Sequence, residues 1–535
     1  MKKRWIAAVL AIAVFCTAFA LPAFGATDET SPFERKLYPA LDKLIYGLVD
    51  GIAAMIVTPR SWVDASEYSN DAFLPGLDAE DFLDAPAENA QWSLGYANAS
   101  IQTGKELTEE HYVGGSLKVT KKLATEVRDD QKVRTVAISD GRGISVFACV
   151  DSFGMPGTAV DEIRARFEKI AAEKGYDITA VNVSALHQHS CVDTFGMNGD
   201  ILNALFTASF KNLLGQPMYG GQNPEFMEHL YTVAVQSMVD AIEDMQPGKL
   251  YYGAVNAREY MRDKRDPQVV DPNLNRLRFV PDDADARETW IVNAGIHCVG
   301  MGAGGTVVTG DYPYFMEEYL NNNANANLFY ILGAQLAITS TSDAITETDE
   351  ALAAEYDESY ARLAVFGRTL ARLLCSITDE SEVAPILNIR FAQARVDVEN
   401  SILKLAGKGG LLKNRVIRSG LGKYQVATEL GYAEFGTDLA IALIPGELAP
   451  EIAFGGADTA AESWTGTEWA YAPMTERVGG RKLLVFGLTN DQVGYLLPDN
   501  EWHSFLTENE EIVSCGKQAG ATITAAFFRL LEEIN

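Results

Sequence analysis

The sequence predicts a mixed α/β fold: layered β-sheets flanked by helices, with the active site at the C-terminal ends of strands. Three observations predict it. Short apolar runs such as ITAVNVSA, TWIVNAG, NLFYIL, LAIAL and KLLVF alternate with longer segments whose apolar residues recur at helical spacing; such alternation marks a layered α/β architecture. Several of these runs finish on side chains able to hold a metal, namely His187 with His189, His297, Glu447 and Tyr495. The chain is 47% hydrophobic and 22% charged over 535 residues, the balance of a protein with a substantial core.

The elements follow in order. Lys2, Lys3 and Arg4 precede an apolar run that ends near Pro22-Ala23-Phe24-Gly25. Small residues at Ala23 and Gly25 make residues 1–25 a secretory signal peptide, with cleavage before Ala26 and a secreted, periplasmic or cell-surface product. Left uncut, the run from Trp5 to Phe24 is long enough to span a bilayer. Residues 26–90 form a helical, acidic extension broken by prolines. With no linker after residue 100, residues 26–535 are expected to form one catalytic unit. GMPGTAVDEIRARFEKIAAEKG reads as a helix with Gly175 as its C-cap. PEFMEHLYTVAVQSMVDAIEDMQ is a helix with Pro224 near its start. Strands KLYYGAVNAREY and TWIVNAGIHCVGMG follow, then the helix DYPYFMEEYLNNN, the buried strand NLFYILGAQLAI and the amphipathic helix ESYARLAVFGRTLARLLCSI. NIRFAQARVDVEN alternates like a half-exposed strand, and the last thirty residues read as a helix docked on the body.

The stretch VNVSALHQHSCVD carries two of the chain's six histidines one residue apart. In a strand, side chains alternate between faces, so Val181, Val183, Ala185, His187 and His189 share one face. A lone buried histidine is an ordinary core feature. A His-x-His pair at the end of an apolar run, in a chain so poor in histidine, points to metal binding or catalysis. Functional groups in such folds gather outside the C-terminal strand ends.

Charge bounds the partners. The formal net charge is −29, and loss of the basic leader makes the mature chain more acidic still. Phosphate binding needs a concentrated basic face, so nucleic acid is excluded as a partner, and adsorption to anionic lipid by charge alone is disfavoured. Cys149, Cys191, Cys298, Cys375 and Cys515 remain after cleavage, with no C-x-x-C among them, which leaves no zinc ribbon. Cys191 and Cys298 each closely follow a candidate histidine; they either pair across the pocket or stand as free buried thiols.

Taken together these motifs resemble the neutral (non-lysosomal) ceramidase family. Ala185-Leu186-His187-Gln188-His189-Ser190-Cys191 matches that family's T-H-T-H-S-G-P, and Val292-Asn293-Ala294-Gly295-Ile296-His297-Cys298 matches N-F-x-x-H-P. Thr309-Gly310-Asp311-Tyr312-Pro313 is similar to S-x-D-x-P-G, I-P-G-E is present unchanged from Ile444 to Glu447, and Asn490 to Tyr495 matches N-x-Y-x-G-Y. Leu94-Gly95-Tyr96 resembles an early A-G-Y. All occur in family order.

The resemblance implies a zinc amidase that removes the acyl chain of ceramide, giving sphingosine and a fatty acid. It implies Zn²⁺ ligands at His187, His297, Glu447 and Tyr495. It also implies catalytic roles for His189 as the unliganded proton shuttle, for Tyr495, and for Arg265, with Arg262 as the alternative, in holding substrate. Imidazole and carboxylate ligands with one open position suit catalytic Zn²⁺. The implied partner is a ceramide-like lipid amide, met through transient contact with a membrane surface. Asp311 either orients a histidine nitrogen or caps a helix. Departures from the family pattern are Cys191-Val192 in place of Gly-Pro, Cys298 in place of proline, and Gln492 in place of tyrosine. Around LLPDNEWHSF, a further family tyrosine has no counterpart, and Trp502 and His503 stand there. The chain ends too soon after Tyr495 for the immunoglobulin-like domain that family members often carry. Two other readings follow from these departures: a zinc hydrolase of another lipid amide or ester, and a non-catalytic secreted protein on the same scaffold.

Overall fold

The computed structural model describes residues 34–115, 122–341, 343–457, 459–461, 463–504 and 510–535. The expected signal peptide lies outside them. Among the described residues no helix is long and apolar enough to cross a membrane.

The apolar runs pair into a nine-stranded mixed sheet. Its spatial order is Ala326–Leu332, Glu288–Ala294, Asn273–Pro281, Gln246–Asn256, Trp92–Ser100, Lys132–Ser139, Ile144–Val150 and Ile178–Ala185, with Ser381–Val383 added to Gln246–Asn256. Its centre is antiparallel. Its two flanks are parallel: Ile144–Val150 runs beside Ile178–Ala185, and Glu288–Ala294 beside Ala326–Leu332. Parallel neighbours need a long crossover. The Gly157–Lys174 and Asp311–Asn323 helices provide the two crossovers. The first buries Val160, Ile163, Phe167 and Ala171 at helical spacing and stops at Gly175, whose φ of 72° is the left-handed cap expected there. The Pro224–Glu243 helix likewise starts where expected. Asn223 accepts from the amides of Glu225 and Phe226, and Pro224 occupies a position that needs no N–H.

A second sheet orders Leu387–Asp397, Lys423–Phe435, Leu439–Leu443 and Lys482–Phe486, with Val416–Gly420 against Lys423–Phe435. Leu439–Leu443 and Lys482–Phe486 are parallel. The Ala519–Ile534 helix covers this sheet with Ile523, Phe527 and Leu531. The two sheets meet at their strand ends. Gly487 N donates to Leu332 O at 2.9 Å, Asn490 N to Val183 O at 2.8 Å, and Asn293 Nδ2 to Val485 O at 2.8 Å. The C-terminal ends of parallel strands from both sheets therefore converge on one crevice.

Arg134, fully buried, pairs with Asp151 at 2.6 Å and with Glu317 at 2.7 Å. Removing one partner of such a buried pair costs about 3–5 kcal/mol. The pair ties the loop after Ile144–Val150 to the Asp311–Asn323 helix, and that loop carries Phe153 to the site below.

The 26–90 stretch is helical in places. Among its described residues only Glu34–Ala53 and the turn Ala79–Asp81 are helical. Val49, Ile52 and Ala53 pack with Ile402, Leu405 and Leu411, so this segment shares a core with the body. Its prolines and short polar runs leave the remainder as loop, and that loop is pinned: Leu77 N donates to Ile389 O at 2.8 Å.

Candidate metal centre

Four strand ends build the crevice. The Ile178–Ala185 strand stops two residues before His187, whose φ is 50°. Strand alternation is therefore not what brings His187 and His189 together; a strained loop does. Its backbone is held from several sides: Leu186 N donates to Val150 O at 3.0 Å, Gln188 N to Ser152 O at 3.0 Å and His189 N to Cys298 O at 3.1 Å. A residue in this conformation costs roughly 1–3 kcal/mol and persists only where its surroundings over-determine it. Asp311, at the start of its helix, and Leu488 and Asn490, on a neighbouring loop, also have positive φ. Glu447 opens a two-residue strand paired in parallel with Tyr495–Leu496, so Glu447 and Tyr495 are register partners.

The rings of His187, His189 and His297 lie 4.8, 5.1 and 5.8 Å apart, centroid to centroid. Their candidate ligand nitrogens all fall within 4.8 Å of one another. Glu447 Oε2 is 3.1 Å from His187 Nε2 and 3.0 Å from His297 Nε2. The Tyr495 hydroxyl hydrogen-bonds the same carboxylate. His187 and Glu447 are buried, while His189 and Tyr495 are half-buried and face a cavity.

Each imidazole is oriented the same way. Nδ1 of His187 bonds Phe153 O at 2.8 Å, Nδ1 of His189 bonds Gly115 O at 2.7 Å, and Nδ1 of His297 bonds Ile338 O at 2.7 Å. A carbonyl only accepts, so each Nδ1 carries the proton and each neutral ring presents an Nε2 lone pair to the crevice. This is the outer-shell pattern that fixes metal-ligating histidines. Nε2 of His187 and of His189 are buried with no hydrogen-bond partner. A neutral Nε2 has no proton to give the Glu447 carboxylate beside it. Two lone pairs facing one carboxylate at about 3 Å fit a shared cation, and this donor set fits Zn²⁺.

The electrostatics agree. Burial pushes the His189 and His297 imidazoles below the ordinary histidine range. Burial raises the Glu447 carboxyl, but His187 and His297 in their protonated form outweigh this and hold it well below the usual carboxylate range; with the rings neutral, a bound cation would supply that charge instead. Burial raises the Tyr495 phenol.

The remaining candidates make other contacts. The Arg265 guanidinium bonds Glu501 O at 2.8 Å and the Glu511 carboxylate at 3.2 and 3.3 Å, while its neighbour Lys264 lines the cavity. Arg262 is exposed. The Asp311 carboxylate takes the amides of Gly300 and Tyr312 rather than a histidine nitrogen, and burial raises it to about 7. Cys191 and Cys298 are free, buried thiols; Cys191 Sγ donates to Gln188 O at 3.0 Å.

Two contributors carried no sequence signal. Phe153 stacks on His187 at 4.5 Å and meets His189 edge-on at 5.2 Å, besides holding His187 through its carbonyl. Gly115, with φ of 91°, lies so close to His189 that a Cβ built on it overlaps the histidine Cα. Gly115→Ala is therefore expected to shift His189 and to lower turnover by about 100-fold, the scale of a 1 Å misplacement. Metal content should hold, and paired turnover and metal assays check this.

The cavity beyond the histidines measures about 390 Å³. Phe195, Met197, Leu403, Val426 and Ile512 make it largely apolar, with Gln492, Glu447 and Tyr495 at the metal-competent end. Gln492 Nε2 lies 3.4 Å from Glu447 Oε1. Trp62, packed edge-on against Tyr424 at 5.0 Å, stands between this cavity and a polar one of about 810 Å³, since both are lined by Trp62, Leu412 and Val416.

No family model matches the chain, and no curated protein matches it by sequence. Solved structures do. The neutral ceramidase from Pseudomonas aeruginosa superposes with a TM-score of 0.60 at 14% identity, covering 83% of this chain and 74% of that one. A ceramidase complexed with C2 gives 0.59 at 14% identity, covering 83% and 75%. The chain has the neutral ceramidase fold.

Proposed function

We propose that this protein is a secreted, zinc-dependent amidase that hydrolyses the N-acyl amide of a ceramide-like lipid to a sphingoid base and a fatty acid. The observation that carries the reading is the convergence of oriented imidazole nitrogens and a buried carboxylate at the end of an apolar cavity. His187, His297 and Glu447 would hold the metal, with Tyr495 beside Glu447 as the fourth ligand. Zinc, when bound, supplies a water with a pKa near 7 and a Lewis acid for the carbonyl oxygen.

The chain's own groups do the rest. The apolar wall receives the acyl chain and excludes water. His189 is neutral at pH 7 because burial lowers it, so its Nε2 can take a proton from the attacking water. The same nitrogen then returns that proton to the departing amine. Gln492 stands at the rim of the ligand cluster, where its amide can donate to the carbonyl oxygen as charge develops on it, while Tyr495 steadies the Glu447 side of the cluster. Arg265, committed to Glu511, supports the Lys264 segment of the wall in this reading. Gln492, standing where the family carries tyrosine, favours a second reading in which the same chemistry serves another lipid amide or ester.

Purified protein is expected to contain about one zinc per chain, to hydrolyse a fluorescent ceramide, and to lose that activity on chelation. Hydrolysis untouched by chelators defeats the proposal. A panel of N-acyl amides and esters separates the two substrate readings.

A further inference from the structure

Of the thirteen large apolar side chains exposed among the described residues, ten fall in two stretches, 37–57 and 206–219. On the Ile201–Leu214 helix, Phe206, Phe210, Leu213 and Leu214 follow helical spacing on one exposed face. On the Glu34–Ala53 helix, Leu37, Leu44 and Leu48 do the same, while Val49 and Ile52 point into the core. Leu44 is 70% exposed and Phe210 is 65% exposed. Scattered surface leucines need no explanation, but a contiguous apolar face does.

The two stretches touch. Asn212 Nδ2 donates to Val57 O at 2.8 Å, and Val57 N to Ser209 Oγ at 3.3 Å. Both rest on the Ser401–Lys408 helix, through Ile402 and Leu405 for one and Asn212 to Lys408 O for the other. That helix also supplies Leu403, Lys404 and Gly407 to the apolar cavity wall. The outer face and the cavity are thus two sides of one small helical layer. The charge on this layer departs from that of the chain: in a protein of net charge −29, the Ile201–Leu214 helix carries Lys211 and no acid.

We propose that this two-helix face docks on a lipid bilayer surface, seating Phe206, Phe210 and Leu214 at the boundary between headgroups and acyl chains, so that the cavity opens where its substrate resides. The choice of a bilayer as occupant rests on the lipid-amide reading above. Continuity with the cavity and the lack of acidic residues on the Ile201–Leu214 helix support it. Apolar side chains of this kind drive interfacial binding.

Vesicle flotation tests it with two probes: phosphatidylcholine vesicles, and phosphatidylcholine mixed with anionic phosphatidylglycerol. The wild type is expected to float with both. The double variant Phe210→Ser, Leu214→Ser changes only exposed side chains. Its bound fraction should fall at least tenfold, with hydrolysis of a water-soluble short-chain N-acyl amide unchanged. Equal flotation of variant and wild type overturns the proposal and places any binding elsewhere, the leader segment included. No flotation of the wild type, with a dimer by sedimentation that the variant breaks, overturns it in favour of a second copy of the chain. Flotation that the variant abolishes, in a protein without amidase activity, upholds the docking face and defeats the lipid-amide reading instead.

Discussion

Glu447→Gln is expected to leave the fold intact and to strip the protein of its metal. The amide keeps the size of the carboxylate but offers no charge between His187 Nε2 and His297 Nε2, each about 3 Å away. Metal content should fall below about a tenth of the wild type in dialysed protein. Turnover of an N-acyl amide should drop by roughly 1,000-fold, since metal-ion charge stabilisation is worth several kcal/mol and each 1.36 kcal/mol is a decade of rate. Elemental analysis beside a turnover assay checks both. The same carboxylate makes the metal-free protein acid-labile. Its folded-state pKa lies below its ordinary value of 4.5, so its contribution is present above that value and is lost as pH falls through the folded pKa. His189 and His297, lowered from 6.5, act in the same direction. Between 6.5 and their folded values the unfolded state binds more protons, so stability declines as pH falls. Chelated protein should therefore melt at progressively lower temperature below pH 6.5, and more steeply below 4.5. The Glu447→Gln variant should lack the second decline.

His189→Ala is the second large effect. Loss of a positioned proton shuttle is expected to cost about 100- to 10,000-fold in turnover while zinc content stays near the wild-type level. Three imidazoles lie within ligand distance of one another, so this variant also decides the ligand set: metal lost with His189 would make it a ligand. His187 is the buried member of the pair and His189 the half-buried one facing the cavity, which is why the metal is assigned to the former and the proton to the latter.

The fold class and the main crossover elements were legible because their signals are local. Gly175 and Pro224 mark helix ends by conformational preference, and the apolar runs ending at Ala185, Ala294, Leu443 and Phe486 are buried strands. The candidate ligands were legible from their places after those strands. The shape of the site was not. His187 sits in a positive-φ loop instead of a strand, because backbone bonds to the 151–154 and 298 loops outweigh the extended preference of the preceding residues. Phe153 and Gly115 act through a carbonyl, a ring face and a close approach, none of which leaves a pattern in sequence. The Lys423–Phe435 strand, with Thr428, Glu429 and Glu434 among its buried residues, conceals itself by breaking the apolar run, and the ion-pair partner of Glu429 is Arg164, far away in sequence. Arg265 rests on the family resemblance alone, and its carboxylate partners come from residues far along the chain.

Trp62 belongs to the 26–90 extension, ahead of every candidate ligand in the chain. Its indole, wedged between Tyr424 and Gly407, is nonetheless the partition between the apolar chamber and the polar one behind it. A recombinant version trimmed to residue 91 would keep every metal-competent side chain and forfeit the back wall of the chamber. Such a protein should hold zinc and lose its discrimination among acyl lengths.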